Sequence, residues 1–145
     1  MRNEPVTRTV ILGMAASDAH VVANQLIAHS LRSQGFHVVN LGACTSIAEF
    51  ATAYDEHPDA EAVIIGSLNG HAYEDLQDLP AARADGLLGC PVILGGNLSV
   101  GSNKEAADDE RFHALGVEMI LSDPELLPAT LDGFRFPSAR PAEVR

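Results

Sequence analysis

The chain has no tryptophan, only two cysteines in 145 residues, and nine Lys and Arg side chains against twenty Asp and Glu. Each shortage removes a class of function. A formal net charge of −11 repels phosphate backbones, so nucleic acid is not expected as a partner. Acidity of this kind suits plain solubility or a partner surface carrying basic groups. Cys44 and Cys90 lie far apart and form no C-x-x-C. That excludes a disulfide framework, and both read as reduced, half-buried residues of a cytoplasmic protein. No apolar run reaches bilayer-spanning length, so no membrane partner is expected. Residues 1–5 lead into no long apolar stretch and do not read as a signal peptide.

What is present is an alternation of strand-like and helix-like segments without repeats. Apolar, β-branched runs predict strands over 9–14, 36–41, 62–66, 91–95 and 117–121. Helices are expected over 21–34, 47–56, 72–84, 105–115 and 124–131. In the first, Val22, Leu26, Ile27 and Leu31 supply the apolar positions and Gly35 closes it. Thr45-Ser46 opens the second, and Pro80 interrupts or kinks the third. One domain is expected over 1–136, followed by a flexible C-terminal tail at 137–145.

Five strands alternating with five helices predict an α/β fold, a doubly wound parallel five-stranded sheet of the flavodoxin-like (Rossmann-like) kind with strand order 2-1-3-4-5. Ligands of such sheets bind beyond the carboxyl ends of the strands, at the crevice between strands one and three. Three unusual loops fall on that edge. One holds Asp18 and His20, the next Gly66, Ser67, Leu68, Gly70 and His71, and the third Gly95, Gly96 and Asn97.

A carboxylate beside an imidazole fixes the ring's tautomer and leaves one nitrogen lone pair free, which suits a metal ligand. D-x-H alone is a weak signal, since a strand-end Asp also caps helices. Other occupants of the fold can be excluded by residue type. There is no G-x-G-x-x-G for a dinucleotide and no hydroxyl-rich loop after strand one for a flavin phosphate. Gly66-Ser67 stands where a receiver domain needs its Asp. The hydrolase elbow G-x-S-x-G is missing, although Ser67 with His20 remains conceivable as nucleophile and base. A zinc site from Asp18, His20 and His71 is a further rival.

Asp18-Ala19-His20-Val21-Val22-Ala23, Ser67-Leu68 and Gly95-Gly96-Asn97 form an ordered series. It resembles the D-x-H-x-x-G … S-x-L … G-G series of cobalamin-binding domains. More narrowly, the stretch from about Arg8 to Pro124 is similar to the small subunits of glutamate mutase (methylaspartate mutase). The resemblance implies that His20 is the lower axial ligand to the cobalt of adenosylcobalamin, with Asp18 behind it. It also implies that the detached nucleotide tail runs between strands one and three past Gly66, Ser67, Leu68, Gly70, Gly95, Gly96 and Asn97. Two positions depart from the pattern. Ala23 stands where the family has glycine, and Gly66 where it has the serine of S-x-L. Both are expected to weaken the grip on the tail, a lost hydrogen bond costing about 0.5–1.5 kcal/mol.

The function implied is that of a cobalamin-binding subunit of a carbon-skeleton mutase, an isomerase interconverting glutamate and 3-methylaspartate. No residue of this chain is expected to be catalytic by itself, and a larger, barrel-type catalytic subunit is the implied partner. The alternatives are a corrinoid carrier for methyl transfer and a flavodoxin-like interaction module that no longer binds cobalamin.

Overall fold

The computed structural model describes residues 8–96, 106–121 and 123–135. Asn97 and the expected tail at 137–145 lie outside the described residues.

Five strands, β1 (Arg8–Met14), β2 (Phe36–Gly42), β3 (Val63–Gly66), β4 (Val92–Gly95) and β5 (Met119–Leu121), form one all-parallel sheet in the order β2-β1-β3-β4-β5. This is the expected doubly wound order. The central strands are apolar along nearly every position because helices cover both faces of the sheet. On one face lie α1 (Val21–Ser33) and α6 (Leu127–Arg135), packed through Ala28, Leu31, Leu127 and Leu131 onto Val10, Leu12, Ile64 and Ile93. On the other lie α2 (Ile47–Glu56), α3 (Ala72–Asp75), α4 (Leu79–Ala84) and α5 (Ala106–Leu115), whose Phe50, Ala72, Leu79 and Phe112 pack with Ile11, Val63, Ile65 and Leu94.

Local chemistry sets the element ends. Ser46 caps α2 with a reciprocal box: its hydroxyl accepts the Glu49 N–H while Glu49 accepts the Ser46 N–H. Gly13 in β1 makes room for α2, since a Cβ there would meet the Phe50 ring at 2.8 Å. The loop after β2 returns to β1, with Thr45 N–H donating to the Met14 carbonyl at 2.9 Å.

Several expectations are corrected. The helix expected over 72–84 is two short ones, because Pro80 falls in the first turn of α4, where a missing N–H leaves no bond unmade. The last helix begins as a single 3₁₀ turn over Pro124–Leu126. In α1 the buried positions are Asn24, Ala28 and Leu31. Val22 and Leu26, expected inward, are 73% and 64% exposed. An amide takes the inward place instead: Asn24 and Asn40 of β2 exchange two side-chain hydrogen bonds, at 2.9 and 2.8 Å. The cysteines are not alike either, Cys44 being exposed and Cys90 buried.

Candidate functional site

Beyond Met14 the chain turns at Ala15, whose N–H donates to the Gly66 carbonyl at 2.9 Å, and Asp18 is folded back beneath the loop. The Asp18 side chain is wholly buried, whereas that of His20 is 53% exposed. Asp18 Oδ1 accepts both the backbone N–H of His20 at 2.9 Å and its Nδ1–H at 2.7 Å. Oδ2 accepts the Leu68 N–H at 2.5 Å. Burial alone would raise the Asp18 pKa, but the N–H groups of Leu68 and His20 and the imidazole outweigh it and hold the carboxyl below its ordinary value. An ionised Asp18 can only accept, so the proton sits on Nδ1 of His20 and the Nε2 lone pair is left for a ligand. The helix-capping reading of Asp18 fails, because its carboxylate takes the N–H of the cap residue and no side chain caps α1.

The second loop and the helix α3 that follows it are each tied to the first loop. Ser17 donates its hydroxyl to Asp75 at 2.7 Å, and Asn69 Nδ2 donates to the Ser17 carbonyl and hydroxyl at 3.0 Å. The loop after β2 joins through Cys44, whose N–H donates to the Asp18 carbonyl at 2.9 Å and whose φ is 54°. Cys44, Asn69 and Asp75 were not among the expected site residues. Nothing in their types or spacing distinguishes them, because their roles arise from loops far apart in sequence.

Beside this junction lies a cavity of about 280 Å³ between the sheet and the α1–α6 layer. Ala23, Gly66, Ser67, Leu68, Gly95 and Gly96 of the expected set line it. Gly70 does not line it, and its φ of 84° marks a turn. Met14, Leu12, Ile64 and Ile93 form apolar lining that the motif had not singled out. Gly96 has a φ of 114°, and a Cβ on it would lie 2.2 Å from the Ser67 carbonyl oxygen. Only glycine permits that approach. Ser67 Oγ is buried without a hydrogen-bond partner among the described residues.

The rival sites do not assemble. His20 spends its Nδ1 on Asp18 and makes no bond to Ser67, so no nucleophile–base pair forms. Among the described residues no group of three His, Cys, Asp or Glu side chains could hold a metal ion. Both Asp18 oxygens are engaged by N–H donors, and the exposed His71 lies 3.8 Å from Glu74. The zinc expectation is thereby set aside. Among the described residues no helix is long and apolar enough to cross a membrane.

Comparison with known proteins shows the family. The profile of the B12 binding domain matches residues 8–120. The chain is 43% identical over 121 residues to glutamate mutase sigma subunit 2 of Haloarcula marismortui, covering 81% of each chain. It is 40% identical to the glutamate mutase sigma subunit of Halobacterium salinarum, over 88% of this chain and 85% of that one. The sigma subunit of Clostridium tetanomorphum is 33% identical over 78% and 82%. Among solved structures, a cobalamin-binding protein from Desulfitobacterium hafniense superposes with a TM-score of 0.65 at 19% identity, covering 91% of this chain and 58% of that one. The methanol:cobalamin methyltransferase complex from Methanosarcina barkeri gives 0.64 at 20%, over 96% and 54%; both share the fold. A buried Asp holding an exposed His at the switch point, a glycine-lined cavity beside it, and this similarity along most of the sequence place the chain in the B12-binding domain family and, within it, among the glutamate mutase sigma subunits.

Proposed function

We propose that this chain binds adenosylcobalamin and presents it to a larger, barrel-type subunit, the pair acting as a mutase that interconverts glutamate and 3-methylaspartate. The observation that carries the reading is the Asp18–His20 pair, a buried carboxylate 2.7 Å from Nδ1 of an exposed imidazole at the mutual edge of β1 and β3.

The residues present fit the cofactor. Imidazole nitrogen is a donor suited to cobalt, and a carboxylate behind it raises its basicity. The apolar cavity suits a flat aromatic base, and Gly66, Gly95 and Gly96 leave bare backbone along its wall for a tail to approach. His20 would ligate the metal through Nε2, with Asp18 fixing the ring's orientation and proton. Ala23, Gly66, Ser67, Leu68, Gly95 and Gly96 would receive the nucleotide tail, and Asn97 continues the third loop. When bound, the cofactor supplies the radical chemistry of the rearrangement.

The division of labour follows from what the chain can enclose. Apart from His20 and His71, positions 15–20, 42–46 and 66–71 offer no cation to hold a dicarboxylate, since they contain no Lys or Arg. A radical also needs a water-excluding enclosure, which the partner would supply over the exposed edge. The names of the sigma-subunit relatives support such a partner, since a sigma subunit is one part of an assembly.

The test is a titration of the purified chain with adenosylcobalamin, followed by absorbance and by paramagnetic resonance of the Co(II) form. Binding in which imidazole nitrogen couples to cobalt supports the reading, and loss of that coupling in His20→Ala assigns the ligand. Mutase turnover should need an added larger subunit. Sustained glutamate rearrangement by the isolated chain would overturn the assignment of roles.

A further inference from the structure

We infer that the described lining of the cavity recognises its aromatic occupant by apolar contact and shape, without a side-chain hydrogen bond, and that Met14 and Gly66 set this preference. The inference rests on the reading that the cavity seats the nucleotide base of cobalamin.

The argument starts from the pleat of β3. Ile64 packs in the α1–α6 layer, whereas Val63 and Ile65 pack in the opposite one. Alternation then sends position 66 toward the cavity with Ile64, and position 67 away with Ile65. The ladder continues through this point, because the Ser67 N–H donates to the Gly95 carbonyl at 2.8 Å. Position 66, the one facing inward at this depth, carries no side chain. The space that a side chain would enter is already held by Met14, whose Sδ lies 2.7 Å from where a Cβ on Gly66 would sit.

A thioether donates no hydrogen bond and accepts only weakly, but it is polarizable and packs well against aromatic rings. Leu12, Ile27, Ile93 and Leu127 complete an apolar lining around it. Among the described lining residues Ser67 is the one with a polar side chain, and on the pleat argument it meets the cavity through its backbone. A ring nitrogen placed in this cavity therefore finds no side-chain donor among the described residues. A phenolic base of similar size should be held as well as a benzimidazole, once the benzimidazole is detached from cobalt.

The test measures affinities by calorimetry for three adenosyl corrinoids. One carries dimethylbenzimidazole, one p-cresol, and one, the cobinamide, carries no base. The p-cresol form is expected to bind at least about tenfold tighter than the cobinamide, since burying a ring removes apolar area from water. Equal binding of those two would show that the cavity is not the seat of the base, which removes the reading beneath this inference.

The inference itself is read from the benzimidazole-to-cresol affinity ratio, compared between variants so that the cost of detaching benzimidazole cancels. Ser67→Ala should change that ratio by less than about threefold. Met14→Val combined with Gly66→Ser, which opens room and adds a donor, should raise it about three- to tenfold, the worth of one hydrogen bond. A tenfold fall in Ser67→Ala would assign base recognition to that hydroxyl and overturn the inference. So would an unchanged ratio in the double variant. If the double variant folds poorly, the Ser67→Ala comparison still decides.

Discussion

Asp18 and Leu68, fifty residues apart, are joined by a hydrogen bond from the Leu68 N–H to the buried Oδ2 of Asp18. The other oxygen of the same carboxylate orients His20. One side chain thus fixes both the proposed metal ligand and the loop that lines the cavity, so the two parts of the site cannot be perturbed separately through Asp18.

Asp18→Asn should accordingly injure stability and ligation together. The amide oxygen can replace only one of the two carboxylate oxygens, so the NH₂ must face a remaining N–H donor, an unmade bond costing about 1–3 kcal/mol. Urea unfolding should register that loss, and cobalamin affinity or activity should fall about 10–100-fold. If stability drops with no change in affinity, the carboxylate holds the loops without tuning the ligand.

The same group gives a pH signature. Its folded pKa lies below the ordinary 3.8. Its contribution to stability is therefore complete above that ordinary value and is lost as pH falls through the lower, folded one. Acid unfolding followed by circular dichroism should be less steep in Asp18→Asn. An unchanged acid limb would mean that other carboxylates govern it.

The parallel sheet and its switch point were legible in the sequence because buried central strands need unbroken apolar runs, and residues 9–14 and 62–66 are such runs. Asp18 and His20 were legible for a different reason: their interaction is local, two residues apart. What escaped depends on distance. The inward face of α1 was misread because the partner of Asn24 lies on another element, at Asn40. The conflict between Met14 and a side chain at 66 appears only when β1 and β3 are laid side by side, with Met14 opposite Gly66. Pro80 was read as an interruption or a kink and the structure has the interruption, but its place in a first turn depends on a break that the helical periodicity conceals.

Gly96→Ala should be much more damaging than Gly95→Ala. The added Cβ at 96 meets the Ser67 carbonyl oxygen at 2.2 Å in a left-handed conformation, whereas at 95 the nearest atom is 3.3 Å away. A penalty of about 1–3 kcal/mol or more is expected at 96, beyond that at 95. Thermal melts of the two variants check this, and similar midpoints would contradict it.

The two thiols should separate cleanly under a disulfide-exchange reagent at pH 8. Burial pushes the Cys90 thiol up to about 11, whereas Cys44 is exposed. One fast equivalent is expected in the native protein, mapping to Cys44, and a second only after denaturant. Mass mapping that finds Cys90 labelled first would refute the burial argument.

The reciprocal Asn24–Asn40 bonds act as an index pin for α1. A helix packed by hydrophobic contact alone can roll about its axis to whichever face buries most, and here rolling would draw Val22 and Leu26 out of water. Two paired amides resist the roll, because turning by one residue, about 100°, would leave both unpaired in the interior. The exposed valine and leucine are therefore held at their angle by a polar constraint on the opposite side of the helix. Ala23 and Ile27 are kept facing the cavity by the same pin, so the bore of the site is calibrated by two amides that do not line it.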